Sequence, residues 1–315
     1  MTLPIIHHPD YQAPLAEDHR FPMAKYGRLR DALRRRGLLD QSAAPQPGEA
    51  SAALLSAGHD PAYVARVLAL GLSDTEQRRI GLPRGAPFVR RARLATAGSL
   101  MAAEFALQTG LAGNTAGGSH HAGLDYGAGF CTFNDVAVAA GALLAAGRIR
   151  RALVVDCDVH QGDGTARIFA NDPRVFTFSI HGAKNFPARK AQSDLDLGVA
   201  DGLDDTAYLA ALSSALERAL GAGPFDLAFY NAGVDVHGED RLGRLALTDQ
   251  GVRGRDRLVL RTLRRAGLPV AIVIGGGYSE DAAAVAERHA IVFEEAAALR
   301  EVEAVTSGDG SGTVA

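Results

Sequence analysis

The sequence predicts an α/β protein folded as a single domain, with a parallel central sheet and helices on both of its faces. Three observations carry this prediction. Apolar runs of strand length, rich in β-branched residues, recur at Ala152 to Val159, Val175 to Ile180, Leu227 to Tyr230 and Val270 to Ile274, the pattern of strands buried on both sides. Helical spacing of apolar residues fills segments between them, and strand, crossover helix and strand in alternation demand a parallel sheet covered by helices. No repeat and no long linker divides the 315 residues. The domain is therefore expected over residues 1–304, with the Gly/Ser-rich stretch 305–315 disordered.

Taken along the chain, Lys25 to Arg36 reads as a basic helix. From Phe88 to Gln108 helical periodicity runs up to Gly110, a residue suited to the position just past a helix C-terminus. A Gly-rich loop, Gly110 to Gly118, leads into His120-His121, and Asn134 to Ala146, closed by Gly147, is the next helix. In the strand that follows, a side-chain period of two puts Asp156, Asp158 and His160 on one face and Cys157 and Val159 on the other. Thr206 to Leu220 is the helix between the second and third strands.

The composition, 47% apolar and 22% charged, is that of a globular domain, and no apolar run reaches the ~18 residues of a membrane span. Without a charged-then-apolar leader, the expected location is the cytoplasm. Two cysteines, Cys131 and Cys157, form neither a disulfide framework nor a CxxC knuckle, so a metal would be held by His and carboxylate. A formal charge of −3 gives no general attraction to nucleic acid. Arg34-Arg35-Arg36 and Arg148, Arg150 and Arg151 read as solvated helix faces, and no basic docking surface is expected.

Ligand crevices of open α/β sheets lie outside the carboxyl ends of the strands. Polar residues collect at those ends here. Asp156, Asp158 and His160 are costly to bury together without a compensating cation, although a hydrogen-bonded acidic turn would also explain them taken alone. The run Phe229 to Asp235 brings a further carboxylate to the same edge, and Asp158, His160 and Asp235 complete a three-ligand metal site with one position open to water. His120-His121 sits among small residues, Gly117-Gly118-Ser119 and Ala122-Gly123, where an imidazole could move protons near neutral pH, with Asp156 and Asp163 left over to orient the rings. Gly275-Gly276-Gly277 follows the last strand without GxGxxG spacing or a P-loop Lys, so a nucleotide is disfavoured; Tyr278 could donate to a developing oxyanion.

Together the segments Gly-Gly-Ser-His-His-Ala at 117–122, Gly-Phe-Cys-Thr-Phe-Asn-Asp at 129–135, Asp-Cys-Asp-Val-His-Gln-Gly-Asp-Gly at 156–164 and Gly-Gly-Gly-Tyr at 275–278 resemble the histone deacetylase superfamily. That superfamily includes acetylpolyamine amidohydrolases and shares the three-layer arginase/deacetylase fold. Tyr-Asn-Ala-Gly-Val-Asp at 230–235, with Asp240-Arg241-Leu242-Gly243, is similar to its class IV branch. The resemblance implies a metal-dependent hydrolase of N-acyl-lysine, in a peptide or protein, or of a similar small acylated amine, and it makes Asp158, His160 and Asp235 the ligands of one catalytic ion, Zn²⁺ with Fe²⁺ as the alternative. It makes His121 the general base and acid, His120 its electrostatic partner, Asp156 and Asp163 their supports, and Tyr278 the group that polarises the carbonyl. It implies an acyl-lysine tunnel walled by Gly129, Phe130, Phe186 and Leu242, with Gly276 and Gly277 beside the substrate, and a structural K⁺ at Asp156, Asp158, His160, Ser179 and Ile180.

Three departures qualify the resemblance. Gly118-Ser119 stands where class I and II members have Pro-Gly. His237 raises the option of a second metal ion, for which the further carboxylates are absent. Leu242 replaces the gatekeeping Glu of polyamine-selective members, which weakens the alternative of an acetylpolyamine or other small-molecule amidohydrolase. A non-catalytic, metal-binding regulatory protein is the alternative of another class.

Overall fold

The computed structural model describes residues 2–16, 18–40 and 44–308. Its strands are β1 (Ile5–Ile6), β2 (Leu111–Asn114), β3 (Ala152–Asp156), β4 (Val175–Gly182), β5 (Leu195–Val199), β6 (Leu227–Asn231) and β7 (Val270–Val273). Its helices are α1 (Lys25–Arg35), α2 (Ala52–Leu55), α3 (Pro61–Leu68), α4 (Asp74–Ile80), α5 (Ala86–Thr109), α6 (Asp135–Ala145), α7 (Asp163–Phe169), α8 (Asp205–Gly221), α9 (Asp249–Arg265) and α10 (Ala282–Gly308). The strands form one sheet in the order β1-β2-β7-β6-β3-β4-β5, every neighbouring pair parallel.

The strand alternation divides the core into two layers. Ala152 and Val154 of β3, Phe229 of β6 and Ala271 and Val273 of β7 pack with Ala103, Ala106, Val136 and Leu143 of α5 and α6. Leu153, Val155, Tyr230 and Ile272 face the opposite side, into the apolar cluster that includes Leu212, Leu216, Val259, Leu260 and Phe293 of α8, α9 and α10. Helices therefore cover both faces, as the buried strand runs predicted.

Sequence and structure differ at several boundaries. β1, β2 and β5 are additional strands, and β2 lies inside the expected Gly-rich loop: its four residues include Gly113 and are too few to show a period. The strand expected over 152–159 stops at Asp156. Beyond it, the Asp158 carboxylate accepts the His160 N–H at 3.0 Å, a local turn that competes with the ladder. α10 continues through 305–308, carrying on the helix-favouring Ala/Glu-rich run ahead of it, while 309–315 of the expected tail lie outside the described residues. Arg35 and Arg36 do not simply face solvent; they pair with Glu287 and Glu294 and clasp α1 to α10. Among the described residues no helix is long and apolar enough to cross a membrane.

Two buried histidines make the fold acid-sensitive. His59 accepts the Asn134 N–H at 2.8 Å through Nε2, and His7 contacts the Thr115 hydroxyl at 2.8 Å. Burial pushes both down to about 4, helped at His7 by the nearby Arg30 charge. Between the ordinary value near 6.5 and about 4, the unfolded chain binds a proton that the folded chain refuses. Their contribution is thus complete above about 6.5 and is lost as the pH falls, by up to roughly 3 kcal/mol each. The part of the melting temperature owed to these two histidines should be constant from pH 7 to 8 and fall away below about 6.5. His59→Gln, which retains an acceptor for the Asn134 N–H, should remove part of that drop; an unchanged pH profile in this variant would refute the assignment.

Candidate metal centre and active site

The C-terminal ends of the adjacent strands β3, β6 and β7 open onto one edge of the sheet, and the loops leaving them carry the polar cluster. Asp158, His160 and Asp235 converge there, with one potential ligand atom from each lying within 4.8 Å of the others. His160 Nδ1 is 3.1 Å from Asp158 Oδ1 and 3.1 Å from Asp235 Oδ2. The other oxygens are held from behind, Asp158 Oδ2 by the Gly276 N–H at 2.7 Å and Asp235 Oδ1 by the Val159 N–H at 2.8 Å. Glycine is required at 276, because a Cβ there would meet Asp235 Oδ2 at 2.0 Å.

All three side chains are buried. Burial and repulsion from Asp158 raise Asp235 to about 7, while against the cost of burial the two carboxylates hold His160 at about 10. The cluster draws positive charge, and its nitrogen and oxygen donors suit a divalent ion.

Beside it stand two His–Asp pairs. His120 Nδ1 bonds Asp156 Oδ2 at 2.7 Å, His121 Nδ1 bonds Asp163 Oδ1 at 2.8 Å, and the two Nε2 atoms are 3.2 Å apart. Burial lowers both imidazoles, but Asp156 and Asp158 lift His120 to about 9, whereas burial and the His120 charge keep His121 near 4. Near neutral pH one ring is therefore cationic and the other is neutral and able to accept a proton. The loop holding them is fixed by Asp135, whose carboxylate takes the N–H groups of Gly118 and Ser119 at 3.1 and 2.7 Å, and Gly118 adopts a φ of +80°.

Tyr278 follows the glycine triplet. Asp240 accepts its N–H at 2.6 Å, and its ring lies 6.0 Å from that of His160. Burial and the Asp158 and Asp235 charges push the phenol well above its ordinary range, so it stays a donor. His121, His160 and Tyr278 line one side of a cavity of about 1180 Å³, and the expected walls Gly129, Phe130, Phe186 and Leu242 line it too. Phe130 has a φ of +66°, a strained conformation held by its N–H bond of 2.7 Å to the Ile80 carbonyl. Phe186 packs edge-on against His121, with ring centroids 4.8 Å apart.

Some expected residues fall elsewhere. Gly276 and Gly277 do not line the cavity. Gly276 backs the carboxylates, and Gly277 packs beneath, where a Cβ would meet Val234 at 2.7 Å. His237 stays outside the cluster: its Nε2 is 3.3 Å from Asp249 and its Nδ1 accepts the Glu239 N–H, because the chain turns after β6 instead of continuing the strand face. Asp156 and Ser179 are register partners on β3 and β4, with Ile180 next along.

Four supporting residues escaped the sequence reading. Asp135 and Asp240 lie within the quoted motifs, a signal that could have found them. Lys25 and Arg255 carry none. Lys25 is buried, donates to the Gly275 carbonyl at 3.1 Å, and sits 5.6 Å from the Tyr278 ring centroid. Arg255 is fully buried beside Asp256 and donates to the carbonyls of Cys157, Ala232 and Gly233, at the exits of β3 and β6. Arg255→Met should cost about 3–5 kcal/mol, since it leaves Asp256 buried and uncompensated. Urea unfolding would measure this, and a loss below ~1 kcal/mol would refute the clamp.

Comparison with known proteins identifies the chain's family and fold. An uncharacterized protein of Picosynechococcus sp. is 48% identical over 296 residues, covering 94% of this chain and 99% of its own length. Histone deacetylase 2 of Arabidopsis thaliana is 30% identical over 285 residues, 85% of this chain and 71% of that protein. The crystal structure of the HDA15 HD domain superposes with a TM-score of 0.75 at 22% identity, covering 92% of this chain and 88% of that one. An acetylpolyamine aminohydrolase from Burkholderia pseudomallei gives 0.76 at 23% identity, covering 95% and 99%; at such identities these two likenesses speak for the fold. The family model of the histone deacetylase domain matches residues 19–293, most of the chain, and the protein is accordingly a member of the histone deacetylase domain family.

Proposed function

We propose that this deacetylase-family hydrolase cleaves the amide of N-acyl-lysine side chains, or of similar linear N-acyl amines, at the floor of the cavity. The observation that carries the reading is convergence: the Asp158–His160–Asp235 cluster and the paired His120 and His121 stand together, with the His121 and His160 rings 5.8 Å apart, and His121, His160 and Tyr278 line the same cavity as Gly129, Phe130, Phe186 and Leu242. A divalent ion held by Asp158, His160 and Asp235, Zn²⁺ in our reading and Fe²⁺ as the alternative, would act as a Lewis acid on the carbonyl and acidify water.

The protein's own groups do the rest. His121 Nε2 takes a proton from the attacking water while Asp163 fixes the opposite nitrogen and so the tautomer. His120, charged and paired with Asp156, stabilises negative charge building next to it. Tyr278 donates its O–H to the carbonyl oxygen as that oxygen becomes an anion. When the C–N bond breaks, His121 returns the proton to the departing amine, leaving a carboxylic acid and a free amine. Gly129, Phe130, Phe186 and Leu242 shelter the methylene stem. A structural K⁺ would belong beside Asp156 and Ser179, with Asp158, His160 and Ile180 completing its shell. The motif at 230–235 and Asp240-Arg241-Leu242-Gly243 support placement beside the class IV members.

The test is turnover of acyl-lysine peptides from acetyl to long-chain acyl, with protein loaded separately with Zn²⁺ and Fe²⁺. Release of the free carboxylic acid, with an unmodified lysine left in the peptide, is expected from at least one acyl series; none with either ion would overturn the acyl-lysine assignment.

A further inference from the structure

The mouth of the cavity is basic. Arg20, Arg78 and Arg79 border one part of it and Arg167, Lys184, Arg189 and Arg244 another, while Asp18 and Asp163 are the lining carboxylates among the described residues. Among the described residues, little nearby neutralises these cations. Asp163 is engaged with His121 at 2.8 Å and lies 3.7 Å from Arg167. Lys184 and Arg244 share the single carboxylate of Asp201, at 3.7 and 3.3 Å. Among the described residues Arg78 bonds only the Thr75 hydroxyl, and Arg79 stacks 3.7 Å over the Tyr126 ring. Arg20 and Arg189 have no carboxylate partner among the described residues.

This corrects the expectation that the chain lacks a basic docking surface. The cations come from five separate stretches, so no charge run announces them, and they gather in a chain whose formal net charge is −3. Any single exposed pair is worth little. Several like charges around a cleft with low-dielectric walls act together, raising local counter-ion concentration and association rates by about 10–10³.

We infer that the substrate is acidic: the acyl-lysine enters the cavity from a polypeptide whose neighbouring residues carry carboxylates or phosphates, which rest against the arginine-lined mouth. This rests on the hydrolase reading above and narrows its substrate. The same field repels a polyamine or a Lys/Arg-rich tail. The cavity, about 1180 Å³, also exceeds the ~300–1,000 Å³ typical of small-molecule sites, leaving room for flanking chain beyond the acyl-lysine stem.

The test compares three acetyl-lysine peptides identical except for flanks of Asp/Glu, Ser/Gly or Lys/Arg, together with 6-acetamidohexanoate as a small acyl acid and N-acetylputrescine as a small cation. Values of kcat/KM should rank acidic above neutral above basic by about 10-fold per step at low ionic strength, chiefly through KM, and the steps should shrink in 0.5 M salt to about 3-fold or less. The double variant R20E/R189E should bring the acidic-to-neutral ratio close to one, with folding checked by its melting curve. Equal turnover of the three peptides by the wild-type protein, or a preference for basic flanks, would overturn the inference while leaving the hydrolase reading intact. Turnover of 6-acetamidohexanoate with no peptide cleaved would overturn the polypeptide assignment. No turnover of any substrate would overturn both readings.

Discussion

Asp235→Asn is expected to lower kcat/KM by roughly 10³-fold, about 4 kcal/mol, the scale of charge stabilisation that a Lewis acid supplies at a carbonyl. Asp235 is fully buried, 3.1 Å from His160 Nδ1, and its second oxygen is committed to the Val159 N–H. The amide fits the same space and removes one charge, so the loss would come from the ion and not from collapse of the site. Stability supplies the independent readout. An ion that binds only the folded chain stabilises it by about 4 kcal/mol at a thousand times its Kd. Wild-type protein should melt at a lower temperature after chelation, and Asp235→Asn should melt alike with and without chelator. Retention of a stoichiometric ion by this variant, measured by elemental analysis, would refute the ligand assignment.

Tyr278→Phe is expected to reduce kcat by about 10²–10³-fold with little change in KM, the pattern of an interaction made only as the oxyanion forms. The substitution is conservative in this site. The backbone N–H at 278 remains bonded to Asp240, and the ring contacts with Phe21 and Phe130, at 6.3 and 5.8 Å between centroids, do not need the hydroxyl. Metal content and melting temperature should therefore match the wild type. A variant with full kcat would remove Tyr278 from the chemistry, and one whose KM alone rises would make it a binding residue.

Much of this site was legible because its residues are gathered in short motifs at strand exits. Asp158 and His160 are two residues apart and His120 and His121 adjacent, and the apolar runs that form β3 and β6 mark where each loop begins. A strand period of two anticipates that Asp158 and His160 share a face, but the chain brings them together by another route. β3 ends at Asp156, which turns to His120, and the turn at Asp158 brings His160 round to its carboxylate. Short strands stayed hidden for a simple reason: two residues in β1 and four in β2 show no period. What sequence could not show depends on distant segments meeting. Lys25 reaches Gly275 across 250 positions and Arg255 reaches Cys157 across 98, and nothing local distinguishes either from a surface cation. The basic mouth is the same case on a larger scale.

Arg255 also bears on how the proposed centre would acquire an ion. By gripping the carbonyls at 157, 232 and 233 from beneath, it sets the separation of the loops that carry Asp158 and Asp235 before any ion arrives. The ligands then need not be gathered at the moment of binding, and the entropy of ordering them is already spent in folding. On the proposed assignment such a centre would be a preformed template, able to take ions of similar radius without rearranging the backbone. The identity of a metal held there would then follow from supply and coordination preference instead of from any motion of the protein.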